Sequence, residues 1–164
     1  TCLYYQSVYQ STLIQKMVIL GAPSDFNIIL NNYIVMLSLN QKIAIRLKNY
    51  YLEHHKLNID HFTGKLFASK INTKGLIAHD IDDTVVAFTE GKKIASAWKN
   101  ATLIETKGLG HSMHDDDLYQ KITHFLFEIE SRKSSEEKNI IIFDDIADSF
   151  DYKNKFAIIE YIKE

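Results

Sequence analysis

Two apolar rhythms alternate along this chain. The first is the short run. Met17-Val18-Ile19-Leu20 follows Lys16 and is closed by Gly21-Ala22-Pro23, and Gly75-Leu76-Ile77-Ala78 ends at His79. Runs this brief, stopped by glycine, proline or charge, predict strands buried on both faces of a parallel sheet. A third strand is predicted over Ala101-Thr102-Leu103-Ile104-Glu105-Thr106. The second rhythm is helical. Leu3, Val8 and Leu13 place a helix, or the tail of one, within residues 1–14. Phe26, Ile29, Leu30, Tyr33, Ile34 and Leu37 recur at helical spacing after Ser24, which is expected to serve as N-cap. Asn40 caps a second helix with Ile43, Leu47, Tyr50 and Tyr51 on its stripe. Asn58 and Asp60 precede a shorter third helix carrying Phe62, Leu66 and Phe67.

Residues 24–70 thus form a helical insertion between two strands. Beyond them, Thr89 is expected to cap a helix from Glu90 to Trp98. Asp116 or Asp117 is expected to start another with Leu118, Ile122, Phe125, Leu126 and Ile129. Strand, helix, strand, helix at this rhythm predicts parallel βαβ units, with functional side chains beyond the carboxyl ends of the strands. Ser131 to Lys138 has no apolar residue, and a linker is placed at 134–138. Ile140-Ile141-Ile142-Phe143 then repeats the buried-strand pattern, and a last helix is expected from about Asn154 to Ile162.

A length of 164 residues suits one domain, with 46% hydrophobic and 24% charged residues as in ordinary globular chains. The net charge of −2 argues against a nucleic-acid partner. No apolar run reaches the roughly 18 residues of a membrane span, and the first residues carry no basic leader pattern. With Cys2 as the one cysteine, a reducing, cytoplasmic setting is expected. Cys2 lies in no activating motif and reads as a packing residue. His54, His55 and His61 have no matching acid or thiol set, so neither metal nor cofactor is expected.

Chemistry concentrates at two strand ends. His79-Asp80-Ile81-Asp82-Asp83-Thr84-Val85-Val86 follows the second strand, and Gly108-Leu109-Gly110-His111-Ser112 follows the third. A hydroxyl becomes a useful nucleophile when an imidazole takes its proton, and the imidazole needs a carboxylate on its other nitrogen. An acid and a histidine at neighbouring strand ends supply those two groups. Taken singly, an Asp-rich turn caps and solvates a loop, and one histidine among seven is more often structural than catalytic. The order and spacing of the two motifs raise the joint reading above the separate ones.

Residues 16–130 resemble the C-terminal half of an α/β-hydrolase. Met17 to Phe26 resembles the strand after the nucleophile helix and its exit into the cap. Leu76 to Val86 resembles the acid-bearing strand in its His-Gly-x-x-Asp-x-x-Val-Pro pattern, and Leu103 to His111 the strand leading to a Gly-x-Gly-His turn. The resemblance implies a partial α/β-hydrolase fold, with parallel strands, flanking helices and the 24–70 insertion as cap. It places the acid on Asp83 rather than Asp80 or Asp82, and the base on His111 rather than His114. Asp80 stands where the pattern has glycine, and Ala87 where it has proline. No Gly-x-Ser-x-Gly nucleophile elbow occurs in the chain. The elbow is expected upstream, just before the helix that Thr1 to Gln10 continue.

The complete form would hydrolyse a small-molecule carboxylic ester, thioester or amide by acyl transfer, with Phe26, Tyr33, Phe62 and Phe67 of the cap forming an apolar pocket. His79 is left as either a pocket-mouth or a backbone-anchoring residue. The domain is assigned to residues 1–133.

Residues 139–162 carry a different resemblance. Ile140-Ile141-Ile142-Phe143-Asp144-Asp145, followed by Ala147-Asp148-Ser149-Phe150-Asp151, is similar to a Walker B strand and the loop after it in ABC- and SMC-like ATPases. That resemblance implies magnesium-holding and water-polarising roles for Asp144 and Asp145. No phosphate-cradling Gly-x-x-x-x-Gly-Lys motif accompanies it. Residues 139–164 are therefore expected to be a fused appendage. The alternatives to a hydrolase are a non-catalytic interaction remnant and an ATPase fragment dependent on a phosphate loop from elsewhere.

Overall fold

In a computed structural model, which describes residues 2–127, three strands form a parallel sheet in the order β1-β2-β3. They are β1 (Lys16–Leu20), β2 (Lys74–Asp80) and β3 (Ala101–Thr106). Around them lie α1 (Cys2–Tyr9), α2 (Phe26–Met36), α3 (Gln41–His55), α4 (Gly64–Ala68), α5 (Phe88–Ala97) and α6 (Asp116–Phe127). A 3₁₀ turn at Ile59–His61 precedes α4.

The two-residue period of each strand sorts its side chains onto two faces. Met17 and Ile19 of β1, Ile77 of β2 and Leu103 of β3 look towards α1, α4 and α5. There they meet Leu3, Phe67, Ala68, Ile94 and Trp98. Val18, Leu20, Leu76, Ala78 and Ile104 look the other way, onto Met113 and onto Leu118, Ile122, Phe125 and Leu126 of α6. The result is a sheet with helices on both faces, which is why β1 and β2 read as apolar runs, while the edge strand β3 leaves Thr102 and Glu105 exposed. Each fully buried side chain such as Ile77 or Ile94 contributes about 1.5–3 kcal/mol of transfer free energy.

The register is the feature that builds the site. Gly75 to Asp80 pair one for one with Ala101 to Thr106, so Asp80 lies opposite Thr106 at the carboxyl end of both strands. On the other side, Lys16 to Leu20 pair with Lys74 to Ala78.

The helix boundaries depart from the sequence expectation at the caps. Asp25, not Ser24, caps α2, its side chain accepting from Asn27 N at 2.8 Å. Ser24 is buried and binds Glu90 instead. Asn40 caps α3 as expected, accepting from Lys42 N. The expected third cap helix is two pieces, with Asn58 capping the 3₁₀ turn and Thr63 capping α4. Thr89 caps nothing. Helix α5 begins at Phe88 after Ala87, and no side chain caps it. Asp115 accepts from Leu118 N at 2.7 Å ahead of α6. Helix α1 stops at Tyr9, where Gln10 turns to a φ of +44°.

The insertion divides energetically. Helices α2 and α3 share a small cluster of their own, Leu30, Ile34 and Ala44 with Leu47 against it. Helix α4 instead joins the sheet core through Phe67 and Ala68. Phe62 and Phe67 consequently pack with Tyr4, at ring centroid distances of 5.0 and 5.2 Å from it, on the face of the sheet covered by α1 and α4. The 134–138 linker, the run Ile140–Phe143, Asp144, Asp145 and the last expected helix lie outside the described residues.

Candidate active site

Asp83 sits three residues beyond β2, and His111 five beyond β3. The structure brings them together, with His111 Nδ1 2.8 Å from Asp83 Oδ2. The Asp83 side chain is 0% exposed and that of His111 42% exposed, so one end of the pair is anchored and the other faces outward. Asp83 is aimed by its own turn, because Oδ1 accepts from Val85 N at 2.8 Å and Val86 N at 2.9 Å. Burial pushes its carboxyl up. The hydrogen bond from His111 and those from Val86 and Val85 outweigh burial and hold it below the ordinary aspartate value of 3.8. An ionised Asp83 is acceptor-only, so the His111 proton is assigned to Nδ1 and the lone pair to Nε2. Among the described residues no hydrogen bond to Nε2 is found.

His79 supports this acid from within the fold. It is fully buried, its Nε2 lies 2.9 Å from Val86 O, and a carbonyl can only accept, so Nε2 carries the proton. The same nitrogen is 3.3 Å from Asp83 Oδ2. Of the two roles left open for His79, the structure shows the backbone-anchoring one. Its Nδ1 has no hydrogen-bond partner among the described residues. Glycine at 91 makes room for the ring, since a Cβ there would stand 2.5 Å from Nδ1.

The histidine turn needs its glycines for conformation. Gly108 and Gly110 have φ of +80° and +63°, where a side chain is strained, although nothing lies within 4 Å of an added Cβ. His114, the histidine set aside in the sequence, turns away and bonds Tyr119 Oη through Nδ1 at 2.6 Å. The two neighbouring acids are each committed elsewhere. Asp80 accepts from Thr106 Oγ1 and Leu109 N, and Asp82 from Gly108 N.

A second polar network escaped the sequence reading. Glu90, read from the sequence only as the first residue of a helix, is buried and receives Ser24 Oγ and Ser24 N, with Lys93 Nζ 2.6 Å from its other oxygen. No local signal marks it, because its partner comes from the turn after β1, far away in sequence. Near the site, Asn32 Nδ2 of α2 donates to Val85 O at 3.4 Å, which sets the cap against the loop carrying Asp83. Among the described residues no group of three or more His, Cys, Asp or Glu is arranged to hold a metal ion, and no helix is long and apolar enough to cross a membrane.

No protein-family model matches the chain, and no curated protein matches it. Solved structures do. The chain is similar to Rv0554 from Mycobacterium tuberculosis, with a TM-score of 0.53 and 15% identity, covering 81% of this chain and 62% of that one. It is also similar to MGS-MChE2, an alpha/beta hydrolase enzyme from a metagenome of sediments of the Mar Chica lagoon in Morocco. The TM-score there is 0.50 and the identity 17%, covering 79% and 56%. A third similar structure is BpoC from Mycobacterium tuberculosis H37Rv, with a TM-score of 0.50 and 13% identity over 81% and 63%. At these identities the likeness is one of fold. The parallel sheet with its flanking helices is a partial α/β-hydrolase fold, and the chain spans between 56% and 63% of the length of these structures.

Proposed function

We propose that Asp83 and His111 are the acid and base of an acyl-transfer triad, and that the protein carrying this chain hydrolyses a small-molecule carboxylic ester, thioester or amide. One observation carries the reading: a buried, oriented carboxylate on Nδ1 of a half-exposed imidazole whose Nε2 is left as an acceptor. In this mechanism a serine hydroxyl adds to the substrate carbonyl while its proton passes to His111 Nε2. Asp83 stabilises the imidazolium without taking its proton. The tetrahedral adduct collapses as Nε2 returns the proton to the leaving oxygen, sulfur or nitrogen. Water then attacks the acyl group by the same proton path and releases the acid. The nucleophile and the N–H group after it, which stabilises the oxyanion, lie outside these 164 residues. Cap helix α2, held near Val85 by Asn32, offers Phe26 and Tyr33 to the acyl or alcohol part.

The test is hydrolysis of p-nitrophenyl esters of graded acyl length, by the chain alone and by the product of its gene read in frame through the upstream sequence. The chain alone is expected at background, because acid and base without nucleophile and oxyanion donors stabilise the transition state little. The longer product is expected to turn over and to lose at least about a thousandfold in kcat/KM on His111→Ala. An upstream frame without Gly-x-Ser-x-Gly sinks the reading and leaves a non-catalytic binding module, whereas turnover that survives His111→Ala sinks it by assigning the chemistry to other groups.

A further inference from the structure

We propose that Asp80 is a positioning residue for His111: its buried carboxylate ties down the turn from Thr106 to Gly110 and so fixes the direction of the imidazole. Asp80 lies on the α6 face of β2, opposite Thr106 in register, so a carboxylate there meets a hydroxyl on the neighbouring strand. Oδ2 accepts from Thr106 Oγ1 at 2.8 Å and from Leu109 N at 3.0 Å. Oδ1 accepts from Asp82 N at 2.9 Å. The residue is 0% exposed, and it acts through the turn, not on substrate.

Besides Asp80, the turn is held by Leu109 packing on the α6-face core, by Ile81 N donating to Thr106 O at 2.9 Å and by Ser112 Oγ donating to Leu109 O at 3.4 Å. Gly108 and Gly110 bring no side chains, and an added Cβ at either would touch nothing within 4 Å. The β2 exit adds its own restraints in order, with Asp80 on Leu109, Asp82 on Gly108 N at 3.1 Å, and Asp83 on His111. Burial pushes the Asp80 carboxyl up, and its hydrogen bonds from Thr106, Leu109 and Asp82 outweigh that and hold it below 3.8. A charged, acceptor-only group enclosed this way cannot move off its donors without leaving an uncompensated charge. The pattern this chain resembles has glycine at this place. Here the histidine turn has an internal anchor.

The catalytic meaning of this anchor rests on the triad reading, but the test does not. It is the ¹⁵N-imidazole spectrum of the full chain at about pH 8.5, about two units above the free-imidazole value, for the native protein, Asp80→Asn and Thr106→Val. In the native protein His111 is expected as a single Nδ1–H tautomer, with a downfield proton protected by Asp83. Asp80→Asn keeps the shape but turns an amide N–H₂ or a weaker acceptor onto the donors. It is expected to abolish the protected proton and move both ring nitrogens towards a tautomer mixture. Thr106→Val is expected to shift them partway in the same direction. His114, bonded to Tyr119, is the internal reference and stays put. If Asp80→Asn does not fold, Thr106→Val decides alone. Unchanged His111 signals in the folded variants, or equal shifts at His111 and His114, overturn the proposal. A protein with an intact His111–Asp83 bond and no turnover when completed would refute the triad reading and leave the anchor standing.

Discussion

Gly21 leaves β1 with a φ of +52°, and a Cβ built on it would stand 3.1 Å from Met113 Cε and 3.4 Å from Cε1 and Nδ1 of His111. The imidazole therefore rests on bare backbone at the end of β1, on the far side of β2 from its own strand. Met113 accepts a φ of +46° itself, a left-handed conformation that side chains adopt at a cost, and its side chain is buried against this glycine. Gly21→Ala adds a strained φ to a crowded contact. It is expected to cost about 1–3 kcal/mol in urea denaturation and to displace the His111 ring resonances. A variant as stable as the native chain with unmoved His111 signals would show that the ring does not rest there.

Among elements, the division of the insertion has consequences for dynamics. Helix α3 buries only Ala44, and the small cluster it shares with α2 is separate from both faces of the sheet. Val35, Met36 and Leu37 at the end of α2 are exposed. Helix α4 is tied into the main core by Phe67 and Ala68. Amide exchange is therefore expected to be faster through residues 26–55 than through the strands, with α4 behaving like the sheet. Leu30→Ala should speed exchange in α2 and α3 while leaving the strands protected. Ile77→Ala should lower global stability by about 2–5 kcal/mol. Uniform protection, or a loss of strand protection on Leu30→Ala, would mean that the cap and sheet open together.

Across the described residues, buried carboxylates tie separate segments together: Asp80 and Asp83 join the exits of β2 and β3, and Glu90 joins the first turn of α5 to the turn after β1. Asp80, Asp83 and Glu90 are each pushed up by burial and held, on balance, below their ordinary values of 3.8 and 4.5 by hydrogen bonds and, for Asp83 and Glu90, by the adjacent His111 or Lys93. The unfolded chain then takes up protons first as pH falls. The stability these groups contribute is complete above the unfolded values and is lost as pH drops through the lower, folded ones. Urea midpoints are expected to be flat with respect to these three between about pH 7 and 5 and to fall below about pH 4.5. Asp80→Asn and Asp83→Asn should flatten that acid limb. An acid limb unchanged in both variants would assign it to other groups.

Much of this architecture is written locally. The runs at Lys16–Leu20 and Ala101–Thr106 mark two strands to the residue, β1 through its continuous apolar run and β3 through Leu103 and Ile104 facing the two packed faces of the sheet. Gly108 and Gly110 announce a turn only glycine makes easily, and the order of Asp83 and His111 after neighbouring strands points to their meeting. The caps were less legible. Asp25 and Ser24 are both competent acceptors, and Ser24 was lost to α2 because Glu90, a distant residue, holds it. Phe67 reads as a cap residue by position and is core by packing. Which acid serves His111, which anchors its turn, and whether His79 is inside or out depend on register and on the two faces of β2. Those are settled only when the strands pair, since a shift of one residue would send each of these side chains to the opposite face.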